Sequence, residues 1–300
     1  MRITTPRPAS SAVIDYSTER ETSVPVSLDS TGKASFDDIY DRPDPAAYYL
    51  RMSELDYQIP ELAKPHFRRI IDDYRAATGT APTVLDIGCS YGVNAALLRL
   101  DTTIDDLAGH YRDGDPATRA DRDRARLAAG DRMPDVRFLG MDASAPALSY
   151  AAAAGLLHDV VHADLEAADP TEPQRRLLAS ADLVVSTGCV GYVTDRTLLR
   201  VVRAHGQRLP WMAHFVLRMF SFEPIAERLA ELGYRTERRP GTFRQRRFAS
   251  ADEQDQVLNT LSANGIDPTG LEADGWLHAQ LYLSVPDAHP RTPNDHEDLS

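Results

Sequence analysis

Residues Val84-Leu85-Asp86-Ile87-Gly88-Cys89-Ser90-Tyr91-Gly92-Val93-Asn94-Ala95-Ala96-Leu97-Leu98 join a short apolar run to a helical pattern through a glycine-bearing turn. The apolar run suits a buried parallel strand, and the small and apolar residues at 93 and 95–98 suit a helix packed on it. Glycines in the turn let the backbone pass close to a ligand, while the first amides of the helix and its positive dipole end point into the same space. A dinucleotide loop needs glycines at relative positions 1, 3 and 6. Here they fall at 1 and 5, behind an acidic residue, so the dinucleotide reading fails. The ligand-free alternative is a strand turning into a helix on glycines used for packing alone.

More apolar runs follow at 136–142, 160–165, 181–186 and 211–217, alternating with helical text, and a last one covers 276–285. Strands and helices in alternation imply an α/β fold with a parallel sheet. Residues 1–35 are rich in Ser, Thr and Pro with few hydrophobics, a composition that cannot repay its own ordering and reads as a flexible strap. Residues 36–79 read as a helical lid, with one helix from Pro45 to Leu55 and a second from Pro60 to Ala77. Tyr40, Tyr48, Tyr49 and Tyr57 crowd into it, either lining a pocket or forming plain core. Residues 100–135 are polar, with helices suggested around Ile104 to Tyr111 and Ala117 to Ala129. The alternating Arg and Asp of 119–126 reads as a solvated helix face. Residues 234–248 read as a strand of high arginine density, either a solvated edge or a surface for an acidic partner. The text from 286 to 300 reads as a disordered tail.

The acidic residue followed by G-x-G-x-G, here Asp86, Gly88, Ser90 and Gly92 with serine in the middle place, resembles motif I of the class I S-adenosylmethionine (SAM) dependent methyltransferases. The resemblance covers about residues 80–285. It implies a Rossmann-like seven-stranded mixed sheet, ending in an antiparallel pair, behind an N-terminal helical lid. It marks 100–135 as an insertion, because the second strand usually follows after about one βαβ step of roughly thirty residues. It also implies SAM as cofactor, S-adenosylhomocysteine (SAH) as product, and cofactor contacts from Asp86, Gly88, Cys89, Ser90 and Gly92. Asp142 and Ala143 would follow the second strand. A carboxylate there offers two acceptor oxygens to the ribose diol, and Asp142 can also cap the next helix. Asp164 and Leu165 would close the third strand beside the adenine. Thr187 and Gly188, in the loop after the fourth strand, would lie beside the methyl donor.

The same loop carries Tyr192, the candidate catalytic residue. It could hydrogen-bond an acceptor or offer its ring face to the sulfonium, or simply cap the sheet end; with an ordinary pKa near 10 it is a poor base. Tyr48, Tyr49, Tyr57, Tyr192, Arg218 and Phe220 are the candidate substrate contacts. For Arg218 the choice is between an anionic group of the substrate and a salt bridge to a loop carboxylate. His214, in mid-strand, reads as a satisfied core residue.

The net charge of −12 disfavours a nucleic-acid backbone as partner. No run of about eighteen apolar residues is present to cross a bilayer. Two cysteines, Cys89 and Cys189, fit a reduced cytoplasm better than a disulfide framework, and no Cys and His spacing suggests a metal. The resemblance implies methyl transfer, and the aromatic-rich lid and acidic charge point to a small molecule of a biosynthetic pathway as the acceptor, methylated at oxygen. Two alternatives stay open: a peptide or carrier-protein acceptor, and a SAM-binding scaffold or sensor without transfer. The insert and the arginine-rich strand offer surfaces for a homodimer contact.

Overall fold

The computed structural model describes residues 37–206 and 208–287. The strap expected over 1–35 and nearly all of the tail expected after 286 lie outside them. Five apolar runs form parallel strands: β1 (Thr83–Ile87), β2 (Arg137–Asp142), β3 (Asp159–His162), β4 (Leu183–Thr187) and β5 (Trp211–Leu217). Three more, β6 (Tyr234–Arg238), β7 (Phe243–Arg247) and β8 (Trp276–Pro286), complete the sheet, with β8 antiparallel to β5. The order is β3-β2-β1-β4-β5-β8-β6, with β7 also on β8. The path steps outward from β1 to β3, then crosses back to β4. The switch point between β1 and β4 is where an open α/β sheet leaves a crevice at its carboxyl edge.

Eight strands occupy the seven lanes expected. Arg238 lies opposite Tyr282 and Phe243 opposite Ala279, so β6 and β7 follow one another along the edge of β8 that faces away from β5. The single strand expected over 234–248 is interrupted at Pro240, which has no amide to give, and at Gly241, whose φ is +88°.

Alternation along each strand sends residues to two cores. Val84, Leu183, Val185 and Phe215 pack with Phe67, Ile71, Leu148 and Val257 on one face. Leu85, Val184 and Met212 pack with Leu198, Val202 and Leu229 on the other. On the first face lie α3 (Ile59–Thr78), α4 (Val93–Leu100), α7 (Ala145–Ala153) and α11 (Ala251–Ala263); on the second lie α8 (Glu172–Leu178), α9 (Asp195–Ala204) and α10 (Glu223–Ala230). His214 is fully buried in the core as expected, but only half satisfied: Nδ1 lies 2.8 Å from Ser186 Oγ, whereas Nε2 has no hydrogen-bond partner.

A third apolar cluster joins the lid to the insert. Of the helical lid expected over 36–79, α1 (Asp37–Tyr40) and α2 (Ala46–Glu54) join this cluster, whereas the second expected helix, α3, packs on the sheet instead; the insert comprises α5 (Ile104–Arg112) and α6 (Arg119–Gly130). Tyr49 stacks on Tyr111 at 5.1 Å, and Arg119 donates to Asp44 at 2.5 Å. The charged face of α6 is only partly solvated. Arg119 and Asp123, one turn apart, are both buried, and Asp123 accepts from the Tyr111 and Tyr150 hydroxyls at 2.5 and 2.6 Å. Their partners come from other helices and from the turns beside them, which a local charge pattern does not show.

Candidate functional site

The loop after β1 turns through three left-handed residues: Gly88 (φ +69°), Ser90 (φ +50°) and Gly92 (φ +75°). A Cβ on Gly88 would stand 2.8 Å from Cys189 Cβ, so only glycine lets the loops after β1 and β4 meet. Gly92 faces Ala151, Leu156 and Leu157 and seats α4, so its part is packing. Ser90 takes the glycine-like conformation despite its Cβ, and its amide thereby donates to Asp142 Oδ2 at 2.8 Å.

Beneath this loop Asp86 is buried, and burial pushes its carboxyl up to about 8. Asn94, in the first turn of α4, holds Nδ2 at 3.1 Å from both Asp86 oxygens and 3.1 Å from Thr187 Oγ1. Its Oδ1 is buried without a hydrogen-bond partner, as is Ser90 Oγ. Asn94 was in the opening motif but reads as an ordinary polar helix residue; its position two after Gly92, facing back toward the strand, is the signal that was available.

Asp142 closes β2 with both oxygens engaged on one side: Ser90 N on Oδ2 and Ser144 N at 2.9 Å on Oδ1. The cap of α7 is Ser144, whose Oγ accepts from Ala147 N, and not Asp142, because the helix begins at Ala145. Asp142, Ala143, Ser144, Gly88, Cys89, Ser90, Asn94, Thr187 and Gly188 line one cavity of about 510 Å³. Its other wall is Tyr40, Asp41, Tyr48, Met52, Tyr57, Tyr192, Gln245 and Arg246.

Several expected residues lie elsewhere. β3 ends at His162, so Asp164 sits beyond it, exposed, accepting from Glu166 N and Ala167 N of its own turn; neither it nor Leu165 lines the cavity. Tyr49 points away into the stack with Tyr111. Arg218 forms a buried ion pair with Glu272 and donates to Asp267 O at 2.8 Å, the salt bridge that was its other reading. Phe220 fills the space over Gly191 and so backs the loop that presents Tyr192, which is 41% exposed at the rim.

Gln245 and Arg246 were missed. Arg244 pairs with His278 and Arg246 with Leu277, which leaves Gln245 as the extra residue of a bulge. The bulge turns two successive side chains inward, where strict alternation predicts one. Arg246 is locked by Glu253 through bonds of 2.9 and 2.7 Å, the two side chains being 4% and 0% exposed.

Fold and site together define a Rossmann-like α/β protein with a lidded cavity at its switch point, polar on the β1–β2 side and tyrosine-rich under the lid. No protein-family model and no curated protein sequence matches the chain. Among solved structures, it is similar to the plantazolicin methyltransferase BpumL in complex with SAH, at 11% identity over 83% of this chain and 96% of that one, with TM-score 0.39. It is similar to a TehB-like SAM-dependent methyltransferase from Corynebacterium glutamicum at 15% identity, covering 74% and 96%, with TM-score 0.36. A precorrin-6y C5,15-methyltransferase from Geobacter metallireducens follows at 12% identity, covering 68% and 79%, with TM-score 0.32. With TM-scores this low, the likenesses carry no residue's role to this chain.

Proposed function

We propose that the chain is a SAM-dependent methyltransferase acting on a small-molecule acceptor, at oxygen. The observation that carries the reading is Asp142. Its two oxygens are fixed by the amides of Ser90 and Ser144 and face the cavity with lone pairs to spare, the arrangement a vicinal diol needs. Asn94 and Ser90, whose Oδ1 and Oγ are buried without partners, line the same cavity and fit the polar amino-acid end of such a cofactor, with Asp86 behind them. Bound SAM would supply a methyl group already activated on a sulfonium.

The chain's own task is then alignment more than proton transfer. Gly88 and Gly188 keep the floor of the cavity free of side chains, while Tyr48, Met52 and Tyr57 exclude water from above. Burial pushes the Tyr48 and Tyr57 phenols well up, so both stay neutral. Tyr192 at the rim is the residue proposed to meet the acceptor. Four of the six arginines of the 234–248 stretch are engaged within the chain, Arg246 with Glu253, Arg247 with Asp56, Arg239 with Glu237 and Arg244 over the Trp276 ring, which supports a small acceptor over a docked protein.

Calorimetric titration with SAM tests the cofactor, with loss of binding expected in Asp142→Ala and unchanged binding overturning the reading. Incubation with labelled SAM in a producer extract, split by size, tests the acceptor. Label confined to the macromolecular fraction would reject a small molecule.

A further inference from the structure

Gln245 stands apart from the rest of the cavity wall. The bulge in β7 turns it inward, it is 4% exposed, and its Oε1 has no hydrogen-bond partner. The strand around it is pinned: Gln245 O accepts from Gln58 N at 2.7 Å, Arg247 N donates to Leu55 O at 2.8 Å, and Arg246 is clamped by Glu253. A Cβ on Gly188 would collide with Gln245 Nε2, so the amide lies against the end of β4. A buried carbonyl oxygen left without a donor is costly, and nothing in the surrounding wall of Tyr48, Tyr57 and Met52 supplies one. The Arg246–Glu253 pair beside it sums to no net charge.

The ribose-facing Asp142 sits on β2, at the far side of the β1 and β4 loops from β7. We infer that Gln245 is a specificity residue for the methyl acceptor, its Oε1 receiving an O–H or N–H from a flat, non-anionic aromatic or heteroaromatic molecule held among the lid tyrosines. The inference rests on the methyltransferase reading for the identity of the molecule as acceptor. It needs a donor on the ligand because Oε1 can only accept, a flat ring because tyrosine faces and edges pack rings well, and no anionic group because Glu253 already neutralises Arg246 and Asp41 stands in the same wall.

The test uses paired probes in which a methyl group replaces the donor hydrogen, phenol against anisole and indole against N-methylindole, titrated into the full chain with and without SAH; the Gln245→Leu comparison separates the lost donor from the added methyl. The donor-bearing probe of a pair is expected to bind about tenfold more tightly than its methylated counterpart, the worth of one hydrogen bond. Gln245→Leu should remove that difference while keeping SAH affinity within about twofold of wild type. Equal binding within both pairs, binding of no probe, a difference that survives Gln245→Leu, or a tenfold loss of SAH affinity in that variant would each overturn the inference. A wild-type chain that does not bind SAH fails the methyltransferase reading instead, and the titrations without SAH still decide whether Gln245 reads a donor.

Discussion

Asn94 Nδ2 lies 3.1 Å from each carboxylate oxygen of Asp86, closing a buried contact between the end of β1 and the first turn of α4. One amide group, shared with Thr187 Oγ1, does not offset the desolvation of a carboxylate at 2% exposure, and the Asp86 pKa rises from 3.8 to about 8. Between those values the unfolded chain has released this proton and the folded chain retains it. Stability is therefore full below pH 3.8, falls as pH rises, and levels off above about pH 8, with a slope of up to about 1.4 kcal/mol per pH unit from this group. Asp86→Asn removes the contribution. Urea unfolding at pH 5 and pH 7 should show the variant gaining on wild type by about 1 kcal/mol or more per unit. Parallel profiles would mean Asp86 ionises normally.

Ser90 occupies a left-handed conformation that glycine adopts freely, at φ +50°. An L-residue there costs about 1–2 kcal/mol, and glycine gives back about 0.5–1 kcal/mol in chain entropy. Ser90→Gly should thus be neutral to about 1 kcal/mol stabilising, and should keep the amide bond to Asp142. Ser90→Val, β-branched at the same φ, should destabilise by more than about 1 kcal/mol. Thermal unfolding of the two variants against wild type measures both signs.

The parts of the molecule legible in its sequence are those whose cause is local. β5 was bounded correctly because its seven residues are all buried and all but His214 are apolar, and the turn after β1 was marked by Gly88 and Gly92. Asp142 stood out because a carboxylate ends an apolar run. What escaped depends on contacts distant in the chain. A salt bridge was one of the two readings of Arg218, but its partner Glu272, like the Tyr111 and Tyr150 partners of Asp123, is met only after folding. Gln245 escaped because a bulge shifts the strand period by one residue, and the arginines around it read as a solvated edge.

Arg246 and Glu253 make a buried bidentate pair, with Glu253 also accepting from Ala249 N at 2.8 Å. Removing one partner of such a pair costs about 3–5 kcal/mol, because the other charge stays buried. Glu253→Gln should fall in that range by denaturant unfolding. The double variant Arg246→Met/Glu253→Leu should be less destabilised than Glu253→Gln, since it buries no uncompensated charge. A double variant as unstable as the single would show that the pair is needed to seat α11 as well as to balance charge.

Tyr49 and Tyr111 stack at an interplanar angle of 15°, yet their hydroxyls differ. The Tyr111 hydroxyl donates to the buried Asp123 at 2.5 Å, whereas the Tyr49 hydroxyl is buried with no partner. Tyr111→Phe leaves Asp123 short of a charge-assisted donor and should destabilise by about 1.5–3 kcal/mol. Tyr49→Phe deletes an unsatisfied group and should be neutral or stabilising by up to about 1 kcal/mol. Because Tyr48, next in the chain, lines the cavity and Tyr49 does not, neither change should alter SAM affinity in calorimetry. A Tyr49→Phe loss as large as that of Tyr111→Phe would show that the Tyr49 hydroxyl is bonded in solution.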